Sequence, residues 1–307
     1  VLAIVCPGQG SQTQGFLSEW IRDEASRAAL DAYSQHSGTD LVTHGTVSDS
    51  ETIRDTAVAQ PLIVAASLLN ASALDLSALN PERVLFAGHS VGEVPAAVLA
   101  GVLTHQQALE FIKVRATSMA AAAAAVPTSM AAVVGGAEDE VRQAIADAGL
   151  TPANANGPGQ IVAAGELDKL AALEANPPTR ARVIPLTVAG AFHTDFMAPA
   201  QQSLAAAAAE FTVTDPLHRL ISNRDGGYVT SGEEVLQRLV DQVTRPVRWD
   251  LCMETMADAE VTGVLELLPG GTLTGLAKRG LKGVKSLAVK TPADIDAAAE
   301  FIAEHAG

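Results

Sequence analysis

The chain has 307 residues, enough for one large domain or two moderate ones, and a formal charge of −15. That charge argues against a nucleic-acid binder, whose contact face must neutralise phosphates. Hydrophobic residues make up 48 % and the mean hydropathy is +0.21, but alanine supplies much of this. No uninterrupted apolar stretch approaches the ~20 residues that cross a bilayer, so packed helices are expected rather than membrane spans.

VLAIVC at the N-terminus carries no basic residue and stops after six apolar residues at Pro7-Gly8. It is too short for a signal peptide and reads as a buried first strand, so the expectation is a soluble cytoplasmic protein. Cys6 within it reads as a buried, inert thiol. With only one further cysteine, Cys252, a disulfide scaffold is not expected, and the seven scattered histidines show no zinc-ligand spacing. Gln60 to Ala73 is a buried-helix candidate. VLFAG, residues 84–88, is a second strand, followed at once by the alanine-rich pattern of EVPAAVLAGVL. Strands alternating with helices point to a parallel sheet covered on both faces.

The pattern changes between Ala120 and Pro127, where a polyalanine helix end meets a proline. Ser129 to Val134 reads as a strand and Glu138 to Ala148 as a helix ending at Gly149. Strands near Thr151 to Ala155 and Gln160 to Ala164 flank the turn Asn156-Gly157-Pro158-Gly159. Glu166 to Ala175 is helical and Ala181 to Val188 a final strand. The order β-α-β-β-α-β is the split-βαβ arrangement, a small inserted domain of about 70 residues. Helical patterns resume at Met197 to Glu210 and Glu233 to Gln242, and Val261 to Leu268 reads as another strand. The predicted architecture is therefore α/β, with a large domain of residues 1–125 and 196–307 interrupted by a small α+β domain of residues 126–195.

Gly88-His89-Ser90-Val91-Gly92 fits G-x-S-x-G. A sharp strand-to-helix turn there would project Ser90 from the carboxyl edge of the sheet, with Gly88 and Gly92 where the backbone crowds. A serine hydroxyl needs a base and a site for the oxyanion. A helix starting near Val91 would aim free N–H groups at developing negative charge. An esterase or lipase satisfies this much equally well, and a small-residue turn that only lets a helix approach a strand is the alternative without chemistry.

Four further segments narrow the choice. Pro7-Gly8-Gln9-Gly10-Ser11-Gln12, the block GHSVGE, Gly190-Ala191-Phe192-His193-Thr194 and Leu268-Pro269-Gly270-Gly271-Thr272-Leu273-Thr274-Gly275 occur in this order. Together they resemble the malonyl-CoA:acyl-carrier-protein transacylases and the related acyltransferase domains of polyketide synthases, over nearly the whole chain. The resemblance implies a hydrolase-like large domain with a ferredoxin-like insert. It also implies roles residue by residue. Ser90 matches the nucleophile that carries malonyl as an ester. His193 matches the general base, at the end of the small domain's last strand. Gln242 matches the position whose main-chain carbonyl orients that histidine, and such an acceptor selects the tautomer without adding charge. Gln9 and Val91 match the oxyanion-hole N–H donors. Arg115 matches the arginine that holds the substrate carboxylate, a task suited to a guanidinium fork that stays charged when buried. Without the resemblance, an Asp or Glu partner for Arg115 would be the default. Phe192 matches the malonyl-selecting pattern, its ring crowding an α-methyl group. Asn156, Gln160 and Asn223 resemble pocket or structural positions, yet each is equally suited to a turn or cap.

The implied reaction moves malonyl from malonyl-CoA to the phosphopantetheine thiol of holo acyl carrier protein, with no permanently bound cofactor, no metal and no membrane, in a monomer. A hydrolase or thioesterase using water on the same serine and histidine stays open, as does a docking module without catalysis. Acidic carrier proteins call for a local positive face on this acidic chain. Lys278, Arg279, Lys282, Lys285 and Lys290 form a run with no acid between them and are the candidates.

Overall fold

The protein is described from a computed structural model covering residues 1–74, 76 and 79–307. Ten strands are present among these residues: β1 (Leu2–Cys6), β2 (Val84–Gly88), β3 (Thr128–Gly135), β4 (Thr151–Ala155), β5 (Gln160–Glu166), β6 (Ala181–Pro185), β7 (Arg219–Leu220), β8 (Val247–Arg248), β9 (Gly263–Glu266) and β10 (Lys285–Ala288). They form two five-stranded sheets. The first runs β10-β9-β1-β2-β7 and is parallel throughout.

Every residue of β1 and of β2 is buried, as a central parallel strand covered on both faces requires. Their side chains alternate between two cores. Leu2, Ile4, Cys6, Val84 and Phe86 face one; Ala3, Val5, Leu85 and Ala87 face the other. The apolar helix Thr56–Ala73 covers the first face. It is long and apolar enough by composition to cross a membrane, but most of it is packed inside this core. Asp55 caps its start by accepting from the Ala57 N–H at 2.8 Å.

The second sheet runs β6-β3-β5-β4-β8. Its first four strands have the ferredoxin-like order, antiparallel throughout, with the helices Glu138–Asp147 and Leu167–Ala175 packed on one face around Val133, Val141, Ile145 and Leu170. β8, which comes from beyond the insert, adds itself parallel to β4 through Asn154 and Ala155. The other face carries Met130, Ala132, Val162 and Ala164, which join the core of the large sheet. The small sheet is thus a wall facing the large one.

The last strand of this unit is shorter than predicted. β6 stops at Pro185, with one further bond from the Leu186 N–H to the Met130 carbonyl. Residues 186–194 then run as a loop, so His193 lies on that loop, eight residues past the strand and not at its end. There the Ser129 hydroxyl donates to the Val188 carbonyl at 2.7 Å, in place of ladder pairing.

Candidate active site

Parallel strands collect their following loops at one edge, the usual place for a ligand in such a sheet. Here the segments after β1, β2, β7 and β9 meet beyond their carboxyl ends, and the facing wall of the small unit closes a cavity of about 380 Å³. Gln9, His89, Ser90, Val91, Phe192 and His193 line it, together with Gln60, Met119, Met130 and one side of the helix Thr272–Gly280.

Ser90 has φ 54°, a left-handed backbone that costs a non-glycine residue about 1–2 kcal/mol. The flanking glycines make the turn feasible. A Cβ on Gly88 would lie 2.0 Å from the Gly92 carbonyl, and one on Gly92 would lie 2.2 Å from the Cys6 carbonyl oxygen. The Ser90 hydroxyl is 2.7 Å from His193 Nε2. His193 Nδ1 lies 2.9 Å from the Gln242 main-chain oxygen. A carbonyl only accepts, so Nδ1 carries the proton and the Nε2 lone pair faces the serine. His193 is itself left-handed, φ 62°, which turns the ring out of the loop towards Ser90. Burial, and then the Arg115 charge, lower its pKa to about 3, so the resting imidazole is neutral and its Nε2 carries no proton.

The main-chain N–H groups of Gln9 and Val91 donate to no other group among the described residues. Val91 is buried at the start of the helical turn after Ser90, and Gln9 is half-buried on the loop after β1. Both are available to an oxyanion formed next to the serine.

Arg115 comes from the helix His105–Ala125 and is 1 % exposed. Its Nη1 donates to Gln60 Oε1 at 2.7 Å and its Nη2 to Gln242 Oε1 at 2.7 Å, with Nη2 also 3.4 Å from the Ser90 hydroxyl. Its immediate partners are therefore neutral amides rather than the acidic side chain expected by default. Burial lowers its pKa to about 10, opposed by the Glu93 charge, so it stays protonated near neutrality.

Other residues complete the site. Asn223 Oδ1 accepts the Ser90 N–H at 2.8 Å, and its Nδ2 donates to the Gly88 carbonyl at 2.7 Å. Glu93, inside GHSVGE, is buried, and that burial pushes its pKa up to about 7. His89 Nε2 lies 2.8 Å from Asn156 Oδ1, which links the serine loop to the small unit. Glu93, Gln60 and His89 drew no role from sequence. The available signal was a polar or charged residue beside or within a buried apolar run. Cys6 and Cys252 are both buried, and burial raises both thiols.

The basic run does not form one face. Arg279 lines the cavity and donates to Gln160 Oε1 at 2.9 Å, and Lys278 is exposed beside it. Lys285 instead opens β10 opposite Gly263, at the amino edge of the sheet, where it pairs with Glu304. Lys282, in the turn just before β10, is exposed, and Lys290 lies past the carboxyl end of that strand.

A family model for the acyl transferase domain matches residues 3–297. Over 297 residues the chain is 49 % identical to the malonyl CoA-acyl carrier protein transacylase of Mycobacterium tuberculosis (strain H37Rv), covering 96 % of this chain and 98 % of the relative. The crystal structure of MCAT from Mycobacterium tuberculosis aligns with a TM-score of 0.93 at 49 % identity, over 97 % of this chain and 99 % of that one. The malonyl-transacylase in complex with its type II PKS acyl-carrier protein aligns with a TM-score of 0.88 at 30 % identity, over 97 % and 99 %.

Proposed function

The chain belongs to the acyl transferase domain family, and on that premise we propose that it moves a malonyl group from malonyl-CoA to acyl carrier protein through an ester on Ser90. The observation that carries this reading is the Ser90–His193 pair at 2.7 Å, set beside a buried guanidinium that suits a free carboxylate.

In the first half-reaction the Ser90 oxygen attacks the thioester carbonyl while its proton passes to His193 Nε2. The oxyanion accepts from the Gln9 and Val91 N–H groups; one such donor is worth roughly 3–4 kcal/mol of transition-state stabilisation. Collapse expels the coenzyme A sulfur, which takes the proton from His193. In the second half-reaction the phosphopantetheine thiol gives its proton to His193 and attacks the ester, and the serine leaves with that proton. The Gln242 carbonyl holds the imidazole through both halves. Arg115 takes the malonyl carboxylate, and Phe192, 6 % exposed against the cavity, disfavours an α-methyl group by about 1–3 kcal/mol.

Coenzyme A and phosphopantetheine enter only as parts of substrates, and one chain supplies every residue named, so a monomer suffices. Carrier-protein docking falls to Lys278 and Arg279, on the helix that borders the cavity. Intact-protein mass spectrometry after incubation with malonyl-CoA tests the reading: the wild type gains one malonyl mass and Ser90→Ala gains none. Equal labelling of both would refute it. A requirement for carrier protein in sustained malonyl-CoA consumption separates transfer from hydrolysis.

A further inference from the structure

Glu93 does not line the cavity and has no part in the proton transfers above, yet among the described residues it is the one carboxylate that touches both supports of the nucleophile. It is the first residue of the helix Glu93–Leu99 and is 6 % exposed. Its Oε1 accepts the Asn223 N–H at 2.6 Å, and its Oε2 accepts from Gln242 Nε2. These partners lie 130 and 149 residues further along the chain.

Each partner in turn grips Ser90. Asn223 Oδ1 accepts the Ser90 N–H at 2.8 Å, while Gln242 Nε2 also donates to the Ser90 carbonyl at 2.9 Å. Both main-chain polar groups of a residue held at φ 54° are thus tied to side chains anchored on one carboxylate. A strained conformation persists only where its surroundings over-determine it, and this bracket does so. Gln242 has a second task. Its Oε1 accepts from Arg115 Nη2 at 2.7 Å and its main-chain oxygen accepts from His193 at 2.9 Å. An amide lying between a guanidinium and a carboxylate can orient only one way, with its oxygen to Arg115 and its NH2 to Glu93.

We propose that Glu93 is a positioning residue: its carboxylate locks Asn223 and Gln242, and through them holds Ser90 in its attacking conformation. It also keeps His193 and Arg115 in register, without itself touching substrate. The proposal rests on Ser90 being the acylated residue. Substitution by glutamine makes the point sharply. Two N–H donors face the Glu93 oxygens, and a glutamine offers one oxygen and one NH2, so one donor meets a donor.

The test is single-turnover acylation of Glu93→Gln by malonyl-CoA, followed by quenched intact mass, with thermal melting and near-ultraviolet dichroism reporting the fold. The expected result is a Ser90 acylation rate lower by on the order of 100-fold at saturating substrate, with the KM for malonyl-CoA within about threefold of wild type. A purely structural role would lower the melting temperature and leave the folded fraction acylating at the normal rate, which overturns the proposal. Loss confined to KM overturns it as well. Should Glu93→Gln fail to fold, Glu93→Asp keeps the charge but is one methylene too short to span both partners. It should lose about 10-fold or more in the same rate, and a wild-type rate would overturn the idea. Absence of any adduct on the wild type would instead strike the reading of Ser90.

Discussion

Replacing Arg115 with glutamine separates recognition of a carboxylate from the chemistry of the serine. The guanidinium has five N–H donors. Three already meet Gln60, Gln242 and the Ser90 hydroxyl, leaving two with no partner among the described residues. A hydrogen bond to a charged group is worth about 1.5–3 kcal/mol, so two lost to a malonyl carboxylate amount to about 3–6 kcal/mol, or roughly 10²- to 10⁴-fold in kcat/KM. Arg115 also lies 3.4 Å from the Ser90 hydroxyl and lowers the His193 pKa, so the substitution alters the nucleophile too. That second effect is common to all acyl donors and cancels in a ratio. The assay is therefore the acylation rate of Ser90 by malonyl-CoA against acetyl-CoA, in wild type and Arg115→Gln, read by intact mass. The malonyl-to-acetyl ratio should collapse by at least about 10²-fold. If both rates fall by the same factor, Arg115 serves the nucleophile alone and its assignment to the carboxylate is wrong.

The depressed pKa of His193, about 3 in the folded chain, has two consequences. Acylation should show no acid limb at the ordinary imidazole pKa of ~6.5, and Arg115→Gln should move the limb upward; a wild-type limb at 6.5 would contradict this. In linkage terms the unfolded chain binds the proton first, so His193 favours the fold above ~6.5 and this contribution is lost as pH falls from there towards 3. Melting curves of His193→Asn should accordingly lose less stability than wild type between pH 7 and 5. At the surface, Lys278→Glu should raise the carrier-protein KM by about fivefold. Lys285→Glu, at the other edge of the sheet and paired with Glu304, should leave it unchanged. The reverse result would move the docking face to the amino edge.

Short-range patterns in the chain determined its elements. The apolar run at 84–88 and the short stretch at 151–155 before a Gly-Pro-Gly turn are strands with those bounds, and the alternation from Ser129 to Val188 predicted the ferredoxin-like unit. G-x-S-x-G with a strand before and a helix after it marked Ser90, because periodicity and steric need for glycine act over a few residues. The tertiary structure decided what meets what. It alone sent β8 across to the small sheet and ended β6 early, leaving His193 on a loop. It split the basic run between two edges, since the helix Thr272–Gly280 carries the chain from the carboxyl end of β9 back to the amino end of β10. It also brought Glu93, Asn223 and Gln242 around Ser90. Contacts between residues more than a hundred positions apart depend on how the sheets close over one another, and no local pattern of residues encodes that closure.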